Sequence, residues 1–571
     1  MALFFNGRKL VTPTVASRID DSALANVRPA VGNALALIGR AGGGEPKTPL
    51  KFGSPSEAAA TLRDGELLEA VKKAFDPSPE TGAPATVMAL RVNPATQSLL
   101  TLFDANDEPA VELKSTDYGL YTSQIKVKVE AGTNTGKKIT TQHGEDYYAK
   151  DDIARNALSI QYAGAAATAT ATLTNTTLTL EAPTGTQAAQ IDLATYPTVQ
   201  NLVDAINAVA DFSAQVLDGN GAKPTLNGLD AVAAQDVKTA AYTVTANLQA
   251  IVDWFNGIGE GYVTATRPAA ATAVPVNSDW TYLAGGSDGE VTNQDWSDCF
   301  AALQTEDVQW LAPLSPDAAI HAMAQMHVDF MSTTAEQERR AFVGGPTGQT
   351  FDDVKSAAKA LNADRVAQCY AGYYDYAPNG PLTLFAPYMT AAIIAAAFAG
   401  SDPGTAMTNK VINIRGVEKK LRNPTDTDEL ISAGVLCIND TATGYKVVES
   451  VSTWLNDDNF NKVQISCGAA LDYVARAVRE AVADLVGQKA NPLALAEATS
   501  RTDTVLRDLA LPAPQGPGVL AGDADHPAFR NIRASIDGDV LAIQFECSPV
   551  IPINYIPVSI YAKPYAGSAS A

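Results

Sequence analysis

Strand–helix alternation that breaks off and later resumes is the feature of this chain that most restricts its fold. NALALIG (33–39) reads as a buried strand, GSPSEAAATLRDGELLEAVKKAFD (53–76) as two helices and ATVMALRVN (85–93) as a second buried strand. Ser54 or Ser56 stands where an N-cap belongs, and Leu67, Leu68, Val71 and Phe75 recur at helical spacing. From about 101 to 275 the period drops to two. QIKVKVEAG (124–132), NALSIQYAG (156–164) and TATATLTNTTLTLEA (168–182) alternate as half-buried strands do, with a helical stretch within 196–217. After 280 strands are expected at 307–315, 339–345, 365–372 and 382–387, interleaved with helices at 318–332, 350–361 and 388–400. Helices at 463–487 and 493–509 follow, then three strand-like runs, RNIRASIDG, VLAIQFECSP and NYIPVSIYAKP. This order predicts an α/β core with a doubly wound sheet, built from both ends of the sequence, into which one or two β-rich domains are inserted. No repeat of 20–50 residues points to a solenoid or propeller.

Composition narrows the function classes. The chain has 571 residues, of which 46% are hydrophobic and 18% charged, enough for roughly three to five globular domains. Its net charge is −22 and no run of Lys or Arg exceeds two residues, so the basic footprint a phosphate backbone needs is missing. The five cysteines, Cys299, Cys369, Cys437, Cys467 and Cys547, are widely spaced without a CxxC pair, which favours reduced thiols over disulfides or zinc. MALFFNGRKLVTP lacks the apolar stretch of a signal peptide, and the most apolar run, Ala391 to Ala399, is too short to span a bilayer.

The search for catalytic chemistry returns little. His321 and His327 stand six apart on one expected helix, not the four that would place both on one metal. GGSDG (285–289) formally matches GxSxG with Ser287 at the nucleophile position. Helix signals begin only near Thr292 or Asp295, so a glycine turn is the better reading. GGGEPKT (42–48) lacks the GK[ST] ending of a P-loop, GIGEGY (257–262) has no strand–turn–helix context, and DGNGAKPTLNG (218–228) lacks the acidic ligands of a calcium loop. No catalytic, cofactor-binding or metal residue is assigned.

TYLAGGSDGEVTNQDW (281–296) resembles the signature of contractile tail sheath proteins, in which an apolar strand runs into Leu-x-Gly-Gly-x-Asp-Gly. The matching residues are Leu283, Gly285, Gly286, Asp288, Gly289, Thr292 and Trp296. The order of the surrounding parts is similar to the family's over nearly the whole chain: LALIGRAGGGEP (35–46), KFGSPSEA (51–58), ATVMALRVN, TDYGLYTSQIKVKVEAG (116–132), APYMTAAIIAAAFAG ending at Gly400, ELISAGVLCI (429–438) and LDYVARAVRE. Two places depart from it. TPTVASRID (12–20) stands where the family has Pro-Gly-Val-Tyr-Val-x-Glu, and VVESVSTWLNDDNFNKVQIS lacks the usual Arg-rich wording.

The resemblance implies a non-enzymatic structural subunit with an α/β core of subtilisin-like topology plus inserted β-rich domains and extended arms. The expected layout is an N-terminal arm (1–30), a first part of the core (31–100), inserted β-rich outer domains (101–279), a second, tube-facing part of the core (280–549) and a C-terminal arm (550–571). In the family such arms complete the sheets of neighbouring subunits. The candidate strands carry Val11, Val15 and Ile19 at one end and Ile556, Val558 and Ile560 at the other; pairing within their own subunit is the alternative. Lys410, Arg415, Lys419, Lys420 and Arg422 are candidates for tube contact, with a solvated charged face as the plainer reading. The implied partners are the chain itself, the tail tube protein, and baseplate and tail terminator proteins. Neither nucleic acid, membrane insertion nor any cofactor is implied, and the implied location is the tail of a virion assembled in the host bacterial cytoplasm. The competing readings are a β-rich surface or fibre protein, and a divergent hydrolase on a subtilisin-like fold.

Overall fold

The structure, a computed structural model, describes residues 3–5, 8–10, 33–257, 261–377, 380–565 and 567. The expected N-terminal strand residues Val11, Val15 and Ile19 lie outside the described residues; Leu3–Phe5 pairs antiparallel with Arg8–Leu10. Contacts divide the chain into two units, one of Met1–Leu37, Ala70–Met88 and Leu303–Ala571, the other of Ile38–Glu69 and Ala89–Ala302.

The first unit is built on a mostly parallel sheet. Its strands are β1 (Ala34–Gly39), β2 (Thr86–Arg91), β3 (Trp310–Pro313), β4 (Arg340–Gly344), β5 (Val366–Tyr370), β6 (Val435–Thr441) and β7 (Gly444–Val447), in the spatial order β7-β6-β5-β4-β3-β1-β2. β3, β4, β5 and β6 pair in parallel, and β7 returns antiparallel on β6. RAFVG and VAQCY are buried at every position, as strands covered on both faces must be. Helix α1 (Ala318–Thr333) links β3 to β4, and α2 (Phe351–Leu361) links β4 to β5. Thr350 and Asp353 form a reciprocal capping box at the start of α2, so the segment leaves β4 and turns at once into helix. Helix α3 (Pro387–Ala399) is apolar all round and buried, and its Phe398 stacks on Trp310 at 5.0 Å. The strand expected at 382–387 forms, as Leu382–Phe385, but not in this sheet. It pairs antiparallel with Tyr373–Tyr376 in a separate small sheet with Gly416–Val417, which its half-exposed side chains fit.

The C-terminal part of this unit is helical and then β. Helices α4 (Ile465–Val482) and α5 (Pro492–Ala510) pack around Tyr473, Val474, Leu506 and Leu509, with Phe529, Ile532 and Phe545 of the hairpin β8 (Phe529–Asp537) and β9 (Val540–Cys547) against them. Asp472 of α4 accepts two bonds from Arg365 (2.9 and 3.0 Å) and meets Arg340 of β4 at 3.1 Å. Burial alone would raise the Asp472 carboxyl; the two guanidinium groups outweigh it and hold it below its usual range. That cluster fixes α4, and what it carries, to the sheet.

The second unit holds two apolar cores. One gathers Leu113, Val127, Ile139, Ile251, Phe255 and Leu283; its four-stranded antiparallel sheet runs Asp146–Ile153, Lys137–His143, Lys126–Ala131, Ser278–Tyr282. The other gathers Leu158, Ile160, Leu178, Leu180, Leu202 and Ile206 around the helix Val199–Asn207. The Thr-rich run at 168–182 is two strands, Thr170–Leu173 and Thr177–Glu181, folded into a hairpin at Asn175.

Candidate assembly elements and the glycine turn

The glycine segment after Ser278–Tyr282 is a hydrogen-bonded turn within the second unit. Ala284 and Leu99 exchange backbone bonds (2.9 and 2.8 Å), and Thr96 N donates to Ser287 O at 2.9 Å. Gly285 sits at φ +91 and Gly289 at φ +69, left-handed backbone that suits glycine. At Gly286 a Cβ would lie 2.4 Å from Ser98 Oγ and 2.7 Å from Gly119 O, leaving it no room. Asp288 Oδ1 accepts from Arg91 Nη2 at 2.8 Å and from Leu120 N at 3.1 Å. Arg91 also donates to Gly44 O and Tyr118 O, and its side chain has no exposed surface. At the start of the helix Asn293–Ala302, Asp295 Oδ2 accepts from the backbone and hydroxyl of Thr292 (2.8 and 2.7 Å), and Lys47 Nζ lies 2.8 Å from Oδ1. Burial would raise the Asp295 carboxyl, but these donors outweigh it and hold it at about 2. Trp296 and Leu283 are buried. Gly285, Gly286, Asp288, Gly289 and Thr292 thus lie in a hydrogen-bonded turn and helix start, with Leu283 and Trp296 buried at either side of them in sequence.

Nothing in it is arranged for hydrolysis. The Ser287 hydroxyl lies 3.3 Å from Thr96 Oγ1, and the next helix starts four residues beyond Gly289. His321 Nε2 bonds Ser315 O, and His327 Nε2 accepts from buried Arg339 at 3.0 Å. Burial, reinforced by Arg339, lowers His327 to about 3, so it is neutral. Burial pushes the thiols of Cys299 and Cys437 up to about 12, which keeps them protonated and unreactive. Among the described residues no cluster of His, Cys, Asp and Glu fits a metal ion, and no helix is long and apolar enough to cross a membrane.

The basic residues of 410–422 are largely neutralised on the spot. Lys410 pairs with Glu80 (3.1 Å), Lys420 with Asp440 (2.9 Å) and Arg422 with Asp426 (2.6 Å). Lys419 caps the ring of Phe351 at 4.0 Å, and Arg415 is exposed. The C-terminal segment behaves differently. Asn554 Nδ2 donates to Glu449 Oε1 at 3.0 Å; from Tyr555 to Tyr565 the described chain has no secondary structure. Among the described residues the third strand-like run therefore pairs with no other segment. Ile556, Val558 and Ile560 are 79, 75 and 86% exposed, and Tyr555, Tyr561 and Tyr565 are exposed with them. Among the described residues the hairpin β8–β9 just before it forms a two-stranded sheet, with one edge of each strand unpaired by any of them.

Arg91 and Lys47 escaped the sequence reading as partners of the turn. A signal existed: Arg91 is the lone charge in an apolar strand, and a buried charge must find a counter-charge.

Residues 289–453 match the central domain of phage tail sheath proteins. The chain is 27% identical over 585 residues to the tail sheath protein of Bacillus phage SP01, covering 99% of this chain and 97% of that one. It is 24% identical over 506 residues to the tail sheath protein of Staphylococcus phage Twort, covering 82% and 84%. Its fold is similar to that of the sheath tail protein Lin1278 of Listeria innocua, with a TM-score of 0.56 at 14% identity, covering 92% of this chain and 94% of that one.

Proposed function

Because this chain belongs to the phage tail sheath protein family, as a non-enzymatic structural subunit of contractile tails or injection systems, we propose that its copies join by strand exchange into a hollow sheath around a tail tube protein and contract to drive that tube through a bacterial envelope. The observation that carries this reading is the C-terminal segment, whose alternating Ile556, Val558 and Ile560 are exposed and, among the described residues, unpaired, as are the outer edges of the two-stranded hairpin before it. Added to the hairpin of a neighbouring copy, the segment would satisfy open backbone groups and bury one face. Pro557, which has no N–H, suits an edge strand. The N-terminal arm with Val11, Val15 and Ile19 is the second link in this reading.

Contraction is then a rigid-body change in subunit packing that keeps the arms engaged and draws its free energy from the assembly itself, without nucleotide hydrolysis. The arginine cluster on Asp472 supports rigid transmission, since it ties the hairpin-bearing helices to the sheet. The parallel order of β6, β5, β4 and β3 supports the finer reading of a subtilisin-like topology, which brings no catalytic residue with it. The division into arms 1–30 and 550–571, core parts 31–100 and 280–549 and an outward-facing insertion 101–279 belongs to this proposal. So do contacts with baseplate and terminator proteins and tube contact through Lys410, Arg415, Lys419, Lys420 and Arg422.

Electron microscopy of the purified chain in negative stain tests the reading. Long hollow tubes of uniform width that disappear on deletion of 550–571, with the monomer still folded, are expected. Compact monomers across all concentrations and salt conditions would overturn it.

A further inference from the structure

The four-stranded sheet of the second unit turns one face to its core and the other to solvent. Val127, Val129, Ile139 and Thr141 alternate inward and are buried. The residues between them point the opposite way. One row of cross-strand partners on that outer face runs Tyr282, Lys126, Gln142, Tyr147, one residue from each strand. Neighbouring strands lie about 4.8 Å apart, so the two tyrosines mark the ends of a row about 14 Å wide. Tyr282 is 56% and Tyr147 67% exposed. Trp280, 37% exposed, comes from the irregular stretch of the edge strand between Ser278 and Thr281. The Lys126 ammonium lies 4.8 Å from the centroid of the Trp280 ring and 6.0 Å from that of Tyr282, which puts indole, lysine and phenol on one surface. Along the same face Lys128 stands opposite Thr140, and Lys138 opposite Glu130. Glu130 is shared, 2.9 Å from Lys128 and 3.9 Å from Lys138. With Asp279 also close enough to act on Lys128, three lysines meet two carboxylates. The face is therefore net positive on a chain of net charge −22.

We propose that this face binds a sparsely charged acidic polysaccharide, its sugar rings laid on Trp280, Tyr282 and Tyr147 and its anionic groups on the lysines. The inference goes beyond the sheath reading and does not depend on it, since the face belongs to the second unit alone and needs no second copy. Three properties select the occupant. The excess of positive charge on an otherwise acidic chain calls for an anion. The exposed rings stand at both ends of the row with Lys126 and Gln142 between them. That arrangement suits a ligand that alternates C–H faces with hydroxyl groups, and not the continuous apolar patch at the centre of a protein interface. The ligand must also be sparsely charged. A nucleic-acid strand carries a charge about every 3.4 Å and needs a dense basic footprint. A chain of net charge −22 repels such a strand at long range. A polysaccharide with charge on only some of its sugars can meet a few lysines without that repulsion.

Isothermal titration of the full chain with oligosaccharides of hyaluronan, unsulfated chondroitin and gellan, which carry a carboxylate on only some sugars, tests this. Dextran oligosaccharides and oligo(dT) are the neutral and nucleic-acid comparisons. At least one acidic oligosaccharide should bind, more tightly than dextran or oligo(dT), and should weaken with added salt. Trp280→Ala/Tyr147→Ala and, separately, Lys126→Gln should each weaken that binding at least about tenfold, as loss of an anchoring side chain does, with thermal unfolding unchanged. Tyr376→Ala, at a tyrosine 65% exposed in the first unit, should leave it intact. No binding of any of the three, undiminished binding by the folded double variant, or equal binding of dextran would overturn the proposal. Tighter binding of oligo(dT) would overturn it in favour of a nucleic acid. Binding by monomers lacking 550–571 that vanishes in tubes of the full chain would overturn it in favour of a contact between copies. Failure of the chain to polymerise strikes the sheath reading alone, because the titration is read without tubes.

Discussion

Arg91 and Asp288 are 197 residues apart in sequence and 2.8 Å apart in the fold. With its partner gone, a guanidinium with no exposed surface keeps only two backbone carbonyls. Asp288→Ala is therefore expected to cost about 1.5–3 kcal/mol, the worth of a hydrogen bond to a charged group, and Asp288→Asn, which keeps an acceptor, distinctly less. Urea denaturation of both variants measures this; equal stability of all three chains would remove the turn's locking role. His327 makes a pH prediction. Its folded value of about 3 lies below the ordinary 6.5, so the neutral ring contributes stability that is fully present above 6.5 and is lost as pH falls from there toward 3. His327→Gln, which preserves an acceptor for Arg339, should flatten the decline of stability across that window; an unchanged slope would contradict the assignment. The glycines and Asp288 were legible in the sequence because a turn writes its needs into consecutive residues. Arg91's partner was not, because pairing across 197 residues leaves no local pattern.

At the scale of elements, legibility followed burial. β4, β5 and α2 were readable as RAFVG, VAQCY and a capped amphipathic run because each meets one uniform environment along its length. Leu382–Phe385 was readable as a strand but not as a member of the smaller sheet, since strand propensity does not say which sheet will accept it. The segment 554–564 alternates like a strand yet, among the described residues, pairs with nothing. Under the proposed strand exchange, its pattern fits the edge of a neighbouring copy. A double substitution, Ile556→Lys and Ile560→Lys, should leave monomer unfolding within about 0.5 kcal/mol of wild type, because exposed side chains away from special features contribute little. It should nevertheless prevent polymerisation, by placing two charges on the face to be buried. Sedimentation together with thermal unfolding separates the two effects. A large drop in monomer stability would mean the segment packs on its own subunit.

For the whole molecule, a mixed α/β fold was legible in the order of parts in the sequence, and the two apolar cores of the second unit are seen only in the fold. The proposed assembly draws on two features of the described residues, a C-terminal segment that pairs with none of them and a hairpin of two strands. Both lie on a chain of net charge −22, so general electrostatic attraction does not favour self-association and specific surfaces must supply it. The central claim is that copies are joined by exchange of the C-terminal segment. A cryo-electron microscopy map of the polymer, sharp enough to separate strands, tests it most directly. The account predicts that residues 554–564 of one copy run as an added strand along the β8–β9 hairpin of another. A map in which that segment folds back onto its own subunit, or hangs unpaired from a polymer held by other contacts, would contradict it.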